Sequence, residues 1–115
     1  MSARKAALAL KPAARRDIED ILIYSAEQWG LEQRDTYRNE IARALEVLRE
    51  NPRLGRQRDE IAAGLRSLRV RQHVIYYRTS TERVIVIRVM HGMMDAAQDL
   101  AGYEANGADS ETDEG

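Results

Sequence analysis

The run Val84-Ile85-Val86-Ile87-Arg88-Val89-Met90 constrains this chain more than any other stretch. Successive side chains of a strand point to opposite faces. A strand apolar at nearly every position therefore needs cover on both sides, which places it inside a sheet. Val74-Ile75-Tyr76-Tyr77-Arg78-Thr79 is β-branched and aromatic and reads as a second strand, joined to the first by the turn Ser80-Thr81-Glu82-Arg83. Leu65 to Arg71 alternates imperfectly and supplies a third. Three consecutive strands with short turns make an antiparallel meander. Tyr76 and Tyr77 fall on opposite faces; one is expected to pack on helices and the other to face the open side.

The chain before this sheet is helical. Pro12 sits where a first helical turn tolerates proline. Ile18, Ile21, Leu22, Ser25 and Trp29 then share one face at helical spacing, and Gly30 reads as a stop. Trp29 is expected either to join the core or to line a partner groove. A second helix runs from about Glu32 to Glu50 with Tyr37, Ile41, Ala44, Leu45 and Leu48 as its apolar stripe. Asn51-Pro52 ends it, because the residue before proline avoids helical dihedrals. A link of a residue or two around Gly30 makes the helices an antiparallel hairpin. Residues 5–10 are open between a short helix and one more strand. Leu54 to Arg58 is a polar connector. The expected architecture is α+β: an N-terminal strand and the helical hairpin packed on one face of a small antiparallel sheet.

A chain of 115 residues is one domain's worth. We place that domain at residues 1–103, with residues 104–115 as a disordered acidic tail too poor in apolar side chains to order itself. The absence of cysteine excludes disulfides and thiolate metal sites. With two histidines, no metal and no cofactor is expected. No apolar run approaches the roughly 20 residues that span a bilayer. Arg4 and Lys5 followed by Ala6 to Leu10 mimic a signal peptide, but Lys11-Pro12 cuts the apolar stretch short. A cytoplasmic protein is expected.

The net charge of −1 hides a segregation. Residues 53–88 carry nine arginines against Asp59, Glu60 and Glu82, a local excess of +6. Residues 89–115 carry seven acids and no basic residue. Sixteen of the eighteen basic residues are arginine, whose planar fork suits bidentate contact with phosphate and carboxylate.

A helical hairpin followed by an arginine-rich sheet resembles the RelE/ParE toxin superfamily, and the residues resemble its ParE branch. The likeness is carried by Asp17-Ile18 and Ile21 through Trp29-Gly30, by Asn51-Pro52 and Gly55, and by Asp59-Glu60-Ile61, Gly64, Arg66 and Leu68. It continues through Val74-Ile75-Tyr76-Tyr77-Arg78 and Val89-Met90-His91-Gly92-Met93-Met94-Asp95, and covers residues 8 to about 100. The resemblance implies a toxin of a type II toxin–antitoxin system, partnered by a ParD-like antitoxin whose C-terminal segment wraps it. It also implies DNA gyrase as the target. The RelE branch instead cuts messenger RNA on the ribosome. Two positions depart from the family pattern. Met93 stands where an arginine is common, and Lys11 stands where serine or threonine would cap the helix, which lysine cannot do.

Cutting RNA needs a base, an acid for the leaving oxygen and cations on the phosphate. The cations are present, but His91 alone of the nuclease set is in place, and no lysine follows Lys11. A non-enzymatic toxin is expected. The other alternative, a harmless nucleic-acid-binding module, has the +6 segment behind it and lacks stacking aromatics: there is no phenylalanine. Strand parity pairs Leu68 with Val70 toward the helices and Arg69 with Arg71 on the opposite side. Arg66, Arg69, Arg71, Arg88 and His91 are therefore the expected target- or antitoxin-binding set, on a face that an acidic antitoxin segment, or else the acidic tail folded back, is expected to cover. Tyr24, Trp29 and Tyr37 form a second candidate, an antitoxin groove on the hairpin. His91 has a plainer reading as a hydrogen-bond partner of a backbone carbonyl, and His73 reads as a solvated edge residue.

Overall fold

The computed structural model describes residues 5–100. Strand β1 (Ala7–Leu10) leads into helices α1 (Pro12–Trp29) and α2 (Leu31–Glu50). A two-residue strand β2 (Arg56–Gln57) follows, then β3 (Arg66–Val70), β4 (His73–Ser80), β5 (Arg83–His91) and the short helix α3 (Ala96–Leu100). The sheet order is β1-β5-β4-β3-β2. Within residues 5–10, Ala7–Leu10 is strand, and β1 runs parallel to β5, so the sheet is mixed where antiparallel pairing was expected throughout. The polar connector contributes β2, paired antiparallel to β3. The expected tail at 104–115 lies outside the described residues.

The hairpin forms as its spacing dictates. Pro12 occupies the first turn, and Lys11 before it gives no side-chain cap. Gly30, at φ 97°, closes α1 through its N–H to the Ala26 carbonyl and starts α2. That left-handed dihedral is the reason for glycine at the joint. The inner faces meet the sheet through Ala14, Ile18, Ile21 and Leu22 of α1 and Tyr37, Ile41, Leu45 and Leu48 of α2. They pack on Ile75, Tyr77, Val84, Val86 and Val89, with Leu68 and Val70 alongside.

Strand β5 is central, between β1 and β4, and covered on both faces as its composition demanded. A bulge shapes its far half. Tyr77 pairs with Val86 and Tyr76 with Arg88, so Ile87 is an extra residue. One inserted residue flips the alternation beyond it. Val89 thereby rejoins Val84 and Val86 on the helix side, while Ile87 and Met90 share the other face.

That other face is not left for a partner alone to cover. Val74, Tyr76, Ile87 and Met90 are buried there under Ala62, Leu65, Ala96 and Leu100. The 61–65 turn and α3 thus supply cover that the sequence reading assigned to an antitoxin. Tyr76 accordingly lies in this second core instead of facing an open side. Tyr77 packs under the helices, accepts the Gly55 N–H at 2.8 Å and donates to the Pro52 carbonyl at 2.8 Å. A Cβ on Gly55 would meet the Tyr77 ring, which is why this close approach takes glycine.

Candidate functional site

An open groove of about 620 Å³ lies where the tip of the helical hairpin meets one end of the sheet. Helix α1 contributes Asp20, Ile21, Tyr24, Ser25 and Trp29, and α2 contributes Gln33 and Tyr37. The β3–β4 turn contributes Arg71 and Gln72, and the adjoining ends of β4 and β5 contribute His73 and His91. The two expected sets thus partly merge: Tyr24, Trp29 and Tyr37 share one wall system with Arg71 and His91. Trp29 does not join the core. It is 68% exposed, at the rim, and Tyr24 is 60% exposed.

Tyr37 organises the floor. Its hydroxyl donates to the Val70 carbonyl at 2.9 Å and lies 2.7 Å from His73 Nδ1. A carbonyl can only accept, so the single phenolic proton goes to Val70. His73 must then carry its proton on Nδ1 and donate to Tyr37 Oη, leaving Nε2 as the free acceptor. Burial, with His91 as a second and smaller cause, lowers the His73 pKa below 6.5 and keeps the ring neutral. Burial also pushes the Tyr37 phenol up to about 12, against the opposing pull of Arg71. His73 is therefore no solvated edge residue. It is half-buried and opposite His91 in the β4–β5 register, with the two rings edge-on at 5.4 Å. His91 Nδ1 accepts the Met93 N–H at 3.0 Å. The plainer reading of His91 had a backbone carbonyl as partner; the structure gives it a backbone amide instead.

Arg71 corrects the parity argument. It sits in the turn after β3, at φ 56°, outside the strand alternation. This left-handed dihedral is strained for a side chain with a Cβ. The guanidinium swings to the helix side, pairing Nε with Glu40 Oε1 at 2.6 Å and Nη2 with Oε2 at 2.7 Å. It also lies over the Tyr37 ring, 5.4 Å from the centroid. Glu40 was invisible as a site residue in the sequence, although its place one helical turn after Tyr37 is the spacing that brings both to one guanidinium.

The remaining members of the expected set separate. Arg69 is exposed on the face away from the helices, as parity predicted, and donates to the Arg71 carbonyl at 2.9 Å. Arg66 lies toward the other end of β3, donating to the carbonyls of Gly55 at 2.8 Å and Arg53 at 3.2 Å. Arg88 does not join Arg69 on an open face. It is held by Asp17 of α1 through Nε at 2.7 Å and Nη2 at 3.0 Å. Beyond Leu10, strand β1 no longer pairs with β5. Asp17 takes the edge amide freed there, accepting the Val89 N–H at 2.9 Å.

Residues 8–96 match the family model described as the ParE toxin of the type II toxin–antitoxin system, parDE. This chain belongs to the ParE toxin family. It is 38% identical over 92 residues to the toxin ParE1 of Mycobacterium tuberculosis, covering 79% of this chain and 94% of that one. It is 36% identical over 91 residues to the toxin ParE1 of Caulobacter vibrioides, again covering 79% and 94%. The ParE fold is also that of a solved structure of the chromosomal ParDE system from P. aeruginosa, with a TM-score of 0.67 at 16% identity, covering 77% of this chain and 98% of that one. The RelBE2 complex of Mycobacterium tuberculosis superposes with a TM-score of 0.52 at 23% identity, over 78% of this chain and 94% of that one. ParE membership supports the non-enzymatic reading over the nuclease one. Among the described residues, no helix is long and apolar enough to cross a membrane.

Proposed function

We propose that this ParE toxin inhibits DNA gyrase in the cytoplasm and is neutralised by a ParD-like antitoxin lodged in the groove at the hairpin tip. The observation that carries the antitoxin part is the pair Tyr24 and Trp29, more than half exposed beside a cavity large enough for several side chains. Exposed aromatics rimmed by polar groups mark interaction surfaces, and such residues dominate binding energy once covered. Arg71 on the groove wall and exposed Arg69 beside it give this end the sign that an acidic antitoxin segment would complement. Both structural relatives belong to systems named as toxin–antitoxin pairs, which supports a protein partner. The gyrase target rests on family membership.

Expression of the chain alone should arrest growth, and co-expression of a small gene beside its own should restore it. The purified protein should block supercoiling by gyrase while leaving transcripts intact. Growth arrest with cleaved transcripts and unaffected gyrase would replace this reading with a RelE-like one.

A further inference from the structure

Of the basic segment's arginines, Arg71 lines the groove and Arg69 lies beside it, which leaves the rest unexplained. Of the nine arginines in residues 53–88, Arg58 pairs with Glu60, Arg71 with Glu40 and Arg88 with Asp17. The others have no carboxylate partner among the described residues. Three of them, Arg53, Arg66 and Arg78, line a second cleft of about 300 Å³ at the β2–β3 edge. Gln57, Thr79 and the backbone of Gly64 complete it, and its one carboxylate is Asp59, which accepts the Gly64 N–H at 3.0 Å. Arg66 is oriented by two carbonyls, which fix its fork without neutralising it.

We infer that this cleft binds a phosphodiester of a nucleic-acid backbone. Three guanidinium groups against one carboxylate give a local excess of positive charge, and the arginine fork matches phosphate oxygens in pairs. The lining argues against a protein occupant. Its one apolar side chain, Leu65, is 1% exposed, so an acidic peptide would find charge there and no apolar anchor. Protein partners draw most of their affinity from such anchors, whereas backbone phosphates need only cations and donors. Arg56, next to Gln57 on β2, is a further exposed cation beside the cleft. The cleft and the hairpin groove share no lining residue, so this site stands independently of the antitoxin and gyrase readings.

The test is fluorescence anisotropy of the full chain with a labelled DNA duplex and with a single-stranded RNA of equal length, between about 50 and 200 mM salt. Binding to one or both should weaken steeply with salt. The R53Q/R78Q variant should bind at least tenfold more weakly at low salt, with a log–log salt slope on duplex DNA shallower by about 1.8, at roughly 0.9 for each phosphate no longer neutralised. R16Q/R43Q, which removes the same charge from exposed positions on the helices, should bind as the parent does. The side chains of Arg53 and Arg78 make no hydrogen bond or ion pair among the described residues, so the variant should keep its circular dichroism. R78Q alone, the milder change, should lower the slope by about half as much. Equal losses from both double variants would overturn the site, as would absence of binding at low salt. Displacement of the nucleic acid by polyglutamate at matched charge, with no preference for phosphate, would overturn the assignment in favour of an acidic protein.

Discussion

Asp17 and Arg88 are far apart in sequence, yet the two are joined by both arms of a guanidinium–carboxylate fork. The side chains are only 16% and 26% exposed, and Asp17 Oδ2 also takes the Val89 amide. An exposed ion pair contributes about 0–1 kcal/mol. This one combines partial burial with a sheet-edge amide that has no strand to pair with, so its loss should cost more. Asp17→Ala is expected to destabilise by roughly 1.5–3 kcal/mol, the range for hydrogen bonds to charged groups. Urea unfolding should show a lower midpoint at unchanged slope. A midpoint equal to that of the parent would mean that water replaces the carboxylate at no cost.

Burial of Tyr37 and His73 makes stability depend on pH at both ends of the scale. The folded His73 has a pKa below its ordinary 6.5, so the unfolded chain binds its proton first. That contribution is complete above 6.5 and is lost as pH falls toward the folded value. Tyr37 has the opposite sign. Its folded pKa is raised from 10.0 to about 12, so its contribution is complete below 10 and disappears as pH rises toward 12. Thermal unfolding in the His91→Gln background isolates His73. Stability should decline below pH 6.5, and adding His73→Asn should flatten that decline. An unchanged acid limb in the double variant would assign it to other groups.

How much of this was legible beforehand follows from where local rules apply. The hairpin was legible because Pro12, Gly30 and Asn51-Pro52 act on their own neighbours. The central strand was legible because burial on two faces leaves a run of apolar residues. Arg71 was misplaced because strand alternation ends at the turn, and nothing in Val70-Arg71-Gln72 announces a left-handed residue. Arg88 was misplaced because its partner lies on α1, and pairing across that distance leaves no local trace. Trp29 occupies the right helical phase for the core. It is the last residue of α1 and stands on the rim of the open groove, where that helix face is left exposed. The second core was hidden for a related reason: Ala62, Leu65, Ala96 and Leu100 come from short, irregular stretches with no period to read.

The two cores should respond alike to truncation. Ile41 packs on the helix side and Ile87 in the second cluster, at 3% and 0% exposure. Ile41→Ala and Ile87→Ala are each expected to cost roughly 2–5 kcal/mol, transfer and cavity terms together. Leu100→Ala should fall in the same range, because it removes the anchor of α3. If Ile87→Ala and Leu100→Ala are both mild while Ile41→Ala is severe, α3 and the 61–65 turn do not seal that face in solution.

Trp29 separates binding from stability. At 68% exposure its side chain has little apolar area left to lose on unfolding, so Trp29→Ala should shift the melting temperature by less than about 4 °C, equivalent to roughly 1 kcal/mol for a chain of this size. Covered by an antitoxin, the same side chain becomes a desolvated anchor, and truncating such anchors costs about 2 kcal/mol or more. Antitoxin affinity should therefore fall roughly thirtyfold or more, chiefly through faster dissociation. Tyr24→Ala should act in the same direction. Arg69→Gln is the contrasting case. It removes an exposed rim charge, which should slow association and flatten the salt dependence while leaving dissociation nearly unchanged. Arg71→Gln cannot serve this purpose, because it also strands Glu40 and uncovers the Tyr37 ring. Titration calorimetry and stopped-flow with the purified antitoxin distinguish the two patterns. Unchanged affinity for both Trp29→Ala and Tyr24→Ala would move the antitoxin away from the hairpin tip, and the exposed Arg69 face beside Gly92 would be the next surface to probe.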